Sequence, residues 1–505
     1  MHINAHMDID MVAVESDDLL TVMLELTAPE ATSTTRVPQA AVVVLDRSGS
    51  MSGDRLNAAK SALSNLVNRF ADEDVFGLVT FDSQAEVVVP AGRVADLGRA
   101  GMSAAINAIH TGGSTDLTSG YLRGLQEARR VCGDTGATII VLSDGMANHG
   151  IVDAGRFREI AAAAAAQGIT TSSIGIGVGY DDEILTKMAI GGTGNHTFAA
   201  DGDAAAAAVA SEIDGLLTKR VQAASLRIRV TDACKRVQAL NDLPWHGQQD
   251  GVIVELGDFY SGEKRSLLFG FELPAMPTLG LAQVAEFELT YVAIPELEMF
   301  TVTLPISVNV VPQDIARGRA PDAEVRRTKL IVEGQHAKKT GERALRRGDV
   351  EGAREALTSA RDALQAEERL TPHQDLDDEI DFLNEALDDL DAQGYEYTSR
   401  ALSSDRVKKA RGYTTRAQGG RLDSGDDRCP DCGGPLVPIV SGLPSTEMFH
   451  AAERDEIILG GCDPRSGQDE FGMAAKGCPA CRRASIERLF ESLGGQPRGD
   501  SSASS

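Results

Sequence analysis

The chain has 505 residues, with 49 Lys and Arg against 75 Asp and Glu, for a net charge of -26 at pH 7. That length exceeds one hydrophobic core and predicts about three or four domains, and the acidity argues against a chain that as a whole wraps nucleic acid or lies on an anionic membrane, so basic partners fit better. No stretch approaches the roughly 18 apolar residues of a membrane span, and the start, from Met1 to Asp8, has neither a basic region nor an apolar signal core, which predicts a cytoplasmic protein with no membrane partner. Along the chain, residues 1–30 alternate in the manner of strands, as in Leu20-Thr21-Val22-Met23-Leu24-Glu25-Leu26, but they are too few to make a sheet alone. Their partners fall after residue 220, where 224–230, 251–256, 266–271, 285–292 and 300–308 are strand-like with turn residues between them. Together these segments predict a β-sandwich built from residues 1–35 plus 220–312, with residues 37–218 inserted between its strands.

Within the insertion, apolar runs at 41–45, 75–80, 138–142 and 169–174 alternate with helical patterns at 55–70, 117–131 and 154–167, the order of a parallel sheet with crossover helices. A helix at 181–190, a short strand at 197–198 and a closing helix at 204–217 complete the course. The first run ends in Asp46-Arg47-Ser48-Gly49-Ser50, which sets one carboxylate and two hydroxyls on alternate positions where the strand stops. A hard divalent cation takes oxygen ligands of this kind. Thr115, in Thr111-Gly112-Gly113-Ser114-Thr115, and Asp144, after Thr138-Ile139-Ile140-Val141-Leu142-Ser143, supply further oxygens. Ligands of open parallel sheets gather outside the carboxyl ends of the strands, where Asp46 and Asp144 fall.

Other chemistries fit these residues less well. Asp, Ser and Gly at a strand end are also ordinary turn formers. A phosphatase with a strand-terminal aspartate nucleophile would want a second carboxylate two residues on, where Ser48 stands. A serine hydrolase would want a Gly-x-Ser-x-Gly elbow. Gly175-x-Gly177-x-Gly179 has the wrong spacing for a dinucleotide loop and runs into Asp181-Asp182-Glu183, which would repel a pyrophosphate.

Asp-x-Ser-x-Ser, with a threonine and then an aspartate further on, resembles the metal-ion-dependent adhesion site (MIDAS) of von Willebrand factor A (vWA) domains over residues 37–218. The resemblance implies a Rossmann-like vWA domain in which Ser48, Ser50 and Thr115 touch Mg²⁺ (or Mn²⁺ or Ca²⁺) directly. Asp46 and Asp144 would stand behind them, and a partner protein would donate an Asp or Glu to the remaining coordination position. It also brings an AAA+ ATPase, a chaperone-like ring, as one class of partner, since bacterial relatives often sit beside such rings.

From residue 320 the period becomes helical, with helices through Arg347, over 353–365 and near 376–390, so 313–395 is expected to be a helical hairpin plus one. Arg347-Gly348-Asp349 spells a tripeptide that adhesion receptors bind, but reads here as a helix end followed by the next helix cap. Between Arg400 and Arg421 stand seven Lys and Arg against one acid, Asp405, with Gly412, Gly419 and Gly420 among them. Residues 396–427 are therefore expected to be a flexible basic linker, which touches an acidic partner, folds back on the chain's own acidic surface, or contacts RNA or DNA. The final stretch, 491–505, is expected to lack order.

Cys429-Pro430-Asp431-Cys432 and Cys478-Pro479-Ala480-Cys481 form two knuckles, each able to present two thiolates. Four sulfurs at about 2.3 Å would close a structural Zn²⁺ site with no open position, and the pair resembles the knuckles of zinc ribbons over residues 428–490. The intervening 45 residues are more than a compact two-hairpin ribbon needs, and His450 and Cys462 within them stay open as extra ligands. A redox dithiol is the competing reading. Taken together, the sequence predicts a multidomain α/β protein that is not an enzyme: a Mg²⁺-dependent interaction protein with a zinc module. A nucleic-acid-associated protein using 400–421 and the zinc module is the alternative, and a metal-dependent hydrolase a third.

Overall fold

A computed structural model describes residues 1–30, 37–248 and 250–410, together with the short strands Val437–Val440, Ile458–Leu459 and Lys476–Gly477. The chain divides into two units, Met1–Gln418 and Gly419–Ser505. In the first, β1 (His2–Met7), β2 (Met11–Ala13) and β3 (Asp18–Thr27) precede an α/β layer. That layer runs β4 (Ala40–Asp46), α1 (Asp54–Arg69), β5 (Val75–Phe81), β6 (Ala85–Arg93), α2 (Val94–Leu97), α3 (Arg99–Asn107), α4 (Leu117–Val131), β7 (Ala137–Ser143), α5 (Ala154–Ala165), β8 (Ile169–Ile176), α6 (Asp182–Gly191), β9 (Thr193–Ala199) and α7 (Gly202–Leu217).

Its six strands lie in the order β6-β5-β4-β7-β8-β9, all parallel except the antiparallel edge strand β6. Strand alternation divides the core in two. Ala41, Val43 and Leu45 of β4 face α1, α3 and α7, whereas Ala40, Val42 and Val44 face α4, α5 and α6. This is why the central strands read as unbroken apolar runs. On the second face α4 lies close to the sheet at Gly120 and Gly124: a Cβ on Gly120 would meet the Phe81 ring at 2.5 Å, and one on Gly124 would collide with Val44. β6 is the strand that the apolar runs do not announce, because only two of its nine residues, Val89 and Ala91, are buried.

The chain then returns through β10 (Lys219–Val230), β11 (Arg236–Ala239), β12 (Trp245–Gln248), β13 (Gly251–Tyr260), β14 (Lys264–Leu273), β15 (Gly280–Ala293) and β16 (Glu298–Val311). Two sheets result, β1-β3-β14-β11 and β12-β13-β10-β15-β16-β2. They enclose one core: Leu20, Val22, Leu24 and Leu26 of β3 join Leu226 and Ile228 of β10, and Phe269 and Phe287 meet across it with ring centroids 5.5 Å apart. The α/β layer thus leaves between β3 and β10. At this junction buried Lys219 pairs with Asp258 at 2.7 Å, and Thr170, at the amino end of β8, donates to the same carboxylate at 3.4 Å. The two sheets attach at the end of the layer opposite to Asp46 and Asp144.

The helices α8 (Gln313–Ala316), α9 (Ala323–Arg346), α10 (Val350–Glu368), α11 (Gln374–Ala392) and α12 (Tyr395–Ala410) follow. Arg347 and Gly348 (φ 77°) stop α9, and Asp349 caps α10 by accepting from the Gly352 N–H at 2.9 Å. The last helix corrects the first part of the expectation that 396–427 is a flexible basic linker: residues 395–410 are helical and packed, and 411–427 lie outside the described residues. Their cations turn inward on acids of this chain, with Arg406 on Glu342 and Asp242, and Lys409 on Glu379 and Asp405. The sequence pattern conceals this helix because its buried face is mostly polar, comprising Thr398, Ser399, Ser403, Ser404 and Arg406 beside Leu402 and Val407.

The serines have a backbone task. β9 is the open edge of the parallel sheet, and Ser404 Oγ accepts from the Phe198 N–H at 3.0 Å and donates to the His196 carbonyl at 3.3 Å, bonding as a neighbouring strand would. In the second unit, β17 (Val437–Val440) lies between β18 (Ile458–Leu459) and β19 (Lys476–Gly477). Ser404→Ala should leave two groups of β9 without partners and lower stability by about 1–3 kcal/mol. Urea denaturation measures that loss, and hydrogen exchange should show faster exchange at the Phe198 amide.

Candidate functional site

The loop after β4 is held in place by backbone bonds before any side chain acts. Arg47 N–H donates to the Phe81 carbonyl at 2.8 Å, Gly112 N–H to the Arg47 carbonyl at 2.7 Å, and Gly49 N–H to the Gly113 carbonyl at 3.0 Å. These bonds lay the segment 112–115 along the Asp46–Ser50 loop. Asp116 then caps α4 by accepting from the Ser119 N–H at 3.0 Å. A Cβ on Gly112 would overlap the Asp82 carboxylate, so a larger residue here would displace that side chain.

Within this frame the structure brings together all five residues expected at the site. Asp46 is fully buried, and its carboxylate accepts from the Ser48 N–H at 2.8 Å and from Ser143 Oγ at 2.6 Å. Ser48 Oγ and Ser50 Oγ are 3.0 Å apart, and Ser50 Oγ donates to Asp144 at 2.7 Å. Asp144 is buried at the end of β7, next to β4, and Arg55 of α1 donates to its second oxygen at 2.6 Å. Thr115 joins through Gly145: a Cβ there would lie 2.8 Å from Thr115 Oγ1, 3.4 Å from Ser50 Oγ and 3.5 Å from an Asp46 oxygen. Three oxygens from two separate segments, the Asp46–Ser50 loop and Thr115, therefore surround one point above a residue of a third segment that has no side chain.

This donor set fits a hard divalent cation: oxygen atoms only, two carboxylates and three hydroxyls. It also leaves charge uncompensated, because two buried carboxylates face a single guanidinium, that of Arg55. Among the described residues no three His, Cys, Asp or Glu side chains group as a metal site, and here too the carboxylates number only two, so the hydroxyls must complete the donor set. Sequence reasoning missed Ser143, Arg55 and Gly145. The first and last flank Asp144 directly, and their adjacency was the available signal; Arg55 stands in a helix, and nothing in its spacing announces the ion pair. Gly175, Gly177 and Gly179 pack this corner rather than a cofactor, with Gly175 against the Tyr180 ring, Gly177 (φ 68°) beside Arg55 and Gly179 beside the Asp144 carbonyl. Cys429, Cys432, Cys478 and Cys481, expected to hold Zn²⁺, lie outside the described residues, as do His450 and Cys462.

A mostly parallel six-stranded sheet with helices on both faces, carrying Asp-x-Ser-x-Ser at its carboxyl edge, defines the von Willebrand factor type A class of domain. Residues 41–211 match that family, and this part of the chain is a von Willebrand factor type A domain. The protein sll0103 of Synechocystis is 25% identical over 338 residues, 64% of this chain and 78% of its own length. YfbK of Escherichia coli is 29% identical over 160 residues, and the magnesium-chelatase 67 kDa subunit of Chlorobaculum parvum 31% over 111 residues; the chain spans only 28% and 17% of their lengths. Among solved structures, a von Willebrand factor type A protein from Catenulispora acidiphila aligns over 80% of this chain and 96% of its own with a TM-score of 0.62 at 18% identity. The ArnB paralogue VWA2 from Sulfolobus acidocaldarius aligns over 81% and 98% with a TM-score of 0.57 at 14% identity. Those shares exceed what residues 41–211 supply, so the likeness of fold extends into the flanking sheets and helices.

Burial pushes the Asp46 carboxyl up from 3.8 to about 6; hydrogen bonds from Ser143 and Ser48 oppose the rise, and the Asp144 charge adds to it. Folded protein therefore holds a proton that unfolded chain has lost between those values, so the stability of cation-free protein falls as pH rises from about 4 to about 6 and stays lower above it. Asp46→Asn removes the charge while its Oδ1 can still accept from the Ser48 N–H and its Nδ2 donates to Ser143 Oγ, reversing that bond. With chelator present it should match the wild type near pH 4 and exceed it above about pH 6 by about 1–3 kcal/mol. Denaturant midpoints across that pH range give the comparison.

Proposed function

We propose that the protein is a Mg²⁺-dependent protein-interaction protein that captures a partner's Asp or Glu side chain at the carboxyl edge of its von Willebrand factor type A domain. The observation that carries this reading is the convergence of Asp46, Ser50 and Thr115 oxygens on Gly145, with Asp144 beside them and one guanidinium for two carboxylates. Ser48, Ser50 and Thr115 would hold the ion through their hydroxyls, with Asp46 and Asp144 balancing charge. A bound Mg²⁺, or Mn²⁺ or Ca²⁺, supplies a Lewis-acidic position for a carboxylate oxygen from outside. The chain's own part is orientation. Ser143 and the Ser48 amide fix the Asp46 carboxylate, Arg55 fixes that of Asp144, and the Gly112–Gly113 backbone fixes the loop from which Ser48 and Ser50 project.

An enzymatic role has less support. Ser173, His196 and Asp182 touch in sequence, Ser173 Oγ with Nδ1 at 2.9 Å and Asp182 with Nε2 at 3.3 Å, in the pattern of a nucleophile with its base. All three are buried, and Ser173 Oγ donates to the Leu185 carbonyl at 2.9 Å, so the array holds α6 to β8 and β9. The nucleic-acid reading also weakens, since Arg406 and Lys409 neutralise acids of this chain. An AAA+ ATPase is one class of partner by family resemblance, and Zn²⁺ at Cys429, Cys432, Cys478 and Cys481 is proposed from their spacing.

Calorimetry with MgCl₂ on the full chain is expected to show binding that Asp46→Ala weakens at least about tenfold, the cost of removing one charged ligand-side group. Affinity capture from lysate, run with Mg²⁺, with a chelator that spares zinc and with Asp46→Ala, should retain partners in the first condition alone. Equal Mg²⁺ binding by the two chains, or identical captured sets in the three conditions, would overturn the proposal.

A further inference from the structure

A second site lies away from the carboxyl edge, where α5 and α6 of the von Willebrand factor type A domain meet α9 and α12. It is a cleft of about 430 Å³ whose lining includes seven Lys and Arg but only three carboxylates, Glu183, Asp242 and Glu342. In a chain of net charge -26 this is a local reversal of sign. The three carboxylates are already engaged. Arg406 binds Glu342 at 3.1 Å and Asp242 at 2.8 Å, Lys339 binds Asp242 at 2.7 Å, and Arg346 binds Glu342 at 2.8 Å and Glu183 at 3.7 Å as well as Asp182.

Four cations remain. Arg158 of α5, Lys187 of α6, and Arg343 and Arg347 at the end of α9 form no ion pair among the described residues, yet they converge on one space. Like charges collected around a cavity raise its potential and favour an anion. Lys187 records the same crowding: burial lowers its pKa, and Arg158 and Lys339 lower it further, against Asp242 and Glu183.

We propose that this cleft binds an oligophosphate anion, a chain of two or three phosphates, free or as the tail of a nucleotide. Three features choose this class. The cavity has the size of a small-molecule site rather than of a protein interface. Guanidinium groups predominate, and their planar forks match phosphate oxygens two at a time. The lining carries an excess of four positive charges, seven less three, which suits a multiply charged anion better than a single carboxylate. Arg343 in the last turn of α9 and Arg347, its C-cap, stand four residues apart, and both line the cleft. The site is independent of the divalent-cation reading.

The test is calorimetric titration of the full chain, without divalent cation, with pyrophosphate, tripolyphosphate and ATP, and with a poly-glutamate peptide as comparator. Pyrophosphate and tripolyphosphate are expected to bind, more weakly at higher salt. Arg343→Ala with Arg347→Ala, both on exposed positions, should weaken tripolyphosphate binding about tenfold or more, the scale of losing charged hydrogen bonds. Lys187→Ala should do likewise, whereas Asp46→Ala should not. Equal affinity for ATP and tripolyphosphate would assign recognition to the phosphate chain alone, and tighter ATP binding would add a contact to the nucleoside; both support the site. Failure of both inorganic phosphates to bind, binding indifferent to the arginine and lysine variants, or capture of poly-glutamate alone would overturn it.

Discussion

Asp46 and Asp144 end neighbouring strands of a parallel sheet, and the fold buries the two carboxylates side by side. Burying a charge is costly unless it is paired, and burying two of one sign together costs more. Much of the surrounding arrangement answers that cost. The Ser48 amide, Ser143 and Ser50 donate to the carboxylates, Arg55 brings a positive charge from α1, and the loop of Gly112 and Gly113 is bonded down so that Thr115 can close the ring. One negative charge is left over. A site built in this way is least stable when empty of positive charge, so a cation that binds it adds to the stability of the folded state by mass action.

The same helix that borders this corner fastens the rest of the first unit. Asp181, the cap of α6, donates its N–H to the Gly145 carbonyl at 3.4 Å, while Asp182 holds His196 and is held by Arg346 from α9. Arg400 of α12 lies 5.3 Å from the Tyr180 ring, and Thr186 on α6 bonds Ser403 at 3.0 Å. α6 is thus in contact with the carboxyl-edge loop at one end and with the helical arm along its side. The cationic cleft lies along this second contact, so the two candidate sites share one rigid element.

Legibility in the sequence followed the period of burial. β4 and β7 are buried on both faces and appear as continuous apolar runs, while α4 and α10 show an apolar stripe. β6 is an edge with one half-buried face, and β12 is exposed along its length, so neither carries enough apolar residues to stand out. α12 fails differently. Its contacts are hydroxyls on a backbone edge and cations on acids, chosen for hydrogen bonding, and a basic stretch with a run of serines resembles a solvated segment until its partners are known.

The local chemistry of Asp46, Ser48 and Ser50 was determined by the sequence alone, because three donors within five residues of a strand end leave the chain little choice of geometry. So was the parallel order of the sheet, since runs and helices alternate at crossover spacing. Tertiary structure decided what depends on segments far apart in the chain. The Arg55 ion pair with Asp144, the glycine floor beneath three oxygens, the closing of β9 by Ser404 and the gathering of Arg158, Lys187, Arg343 and Arg347 each join residues from different elements. Their partners are selected by packing distance, a quantity that no local spacing encodes.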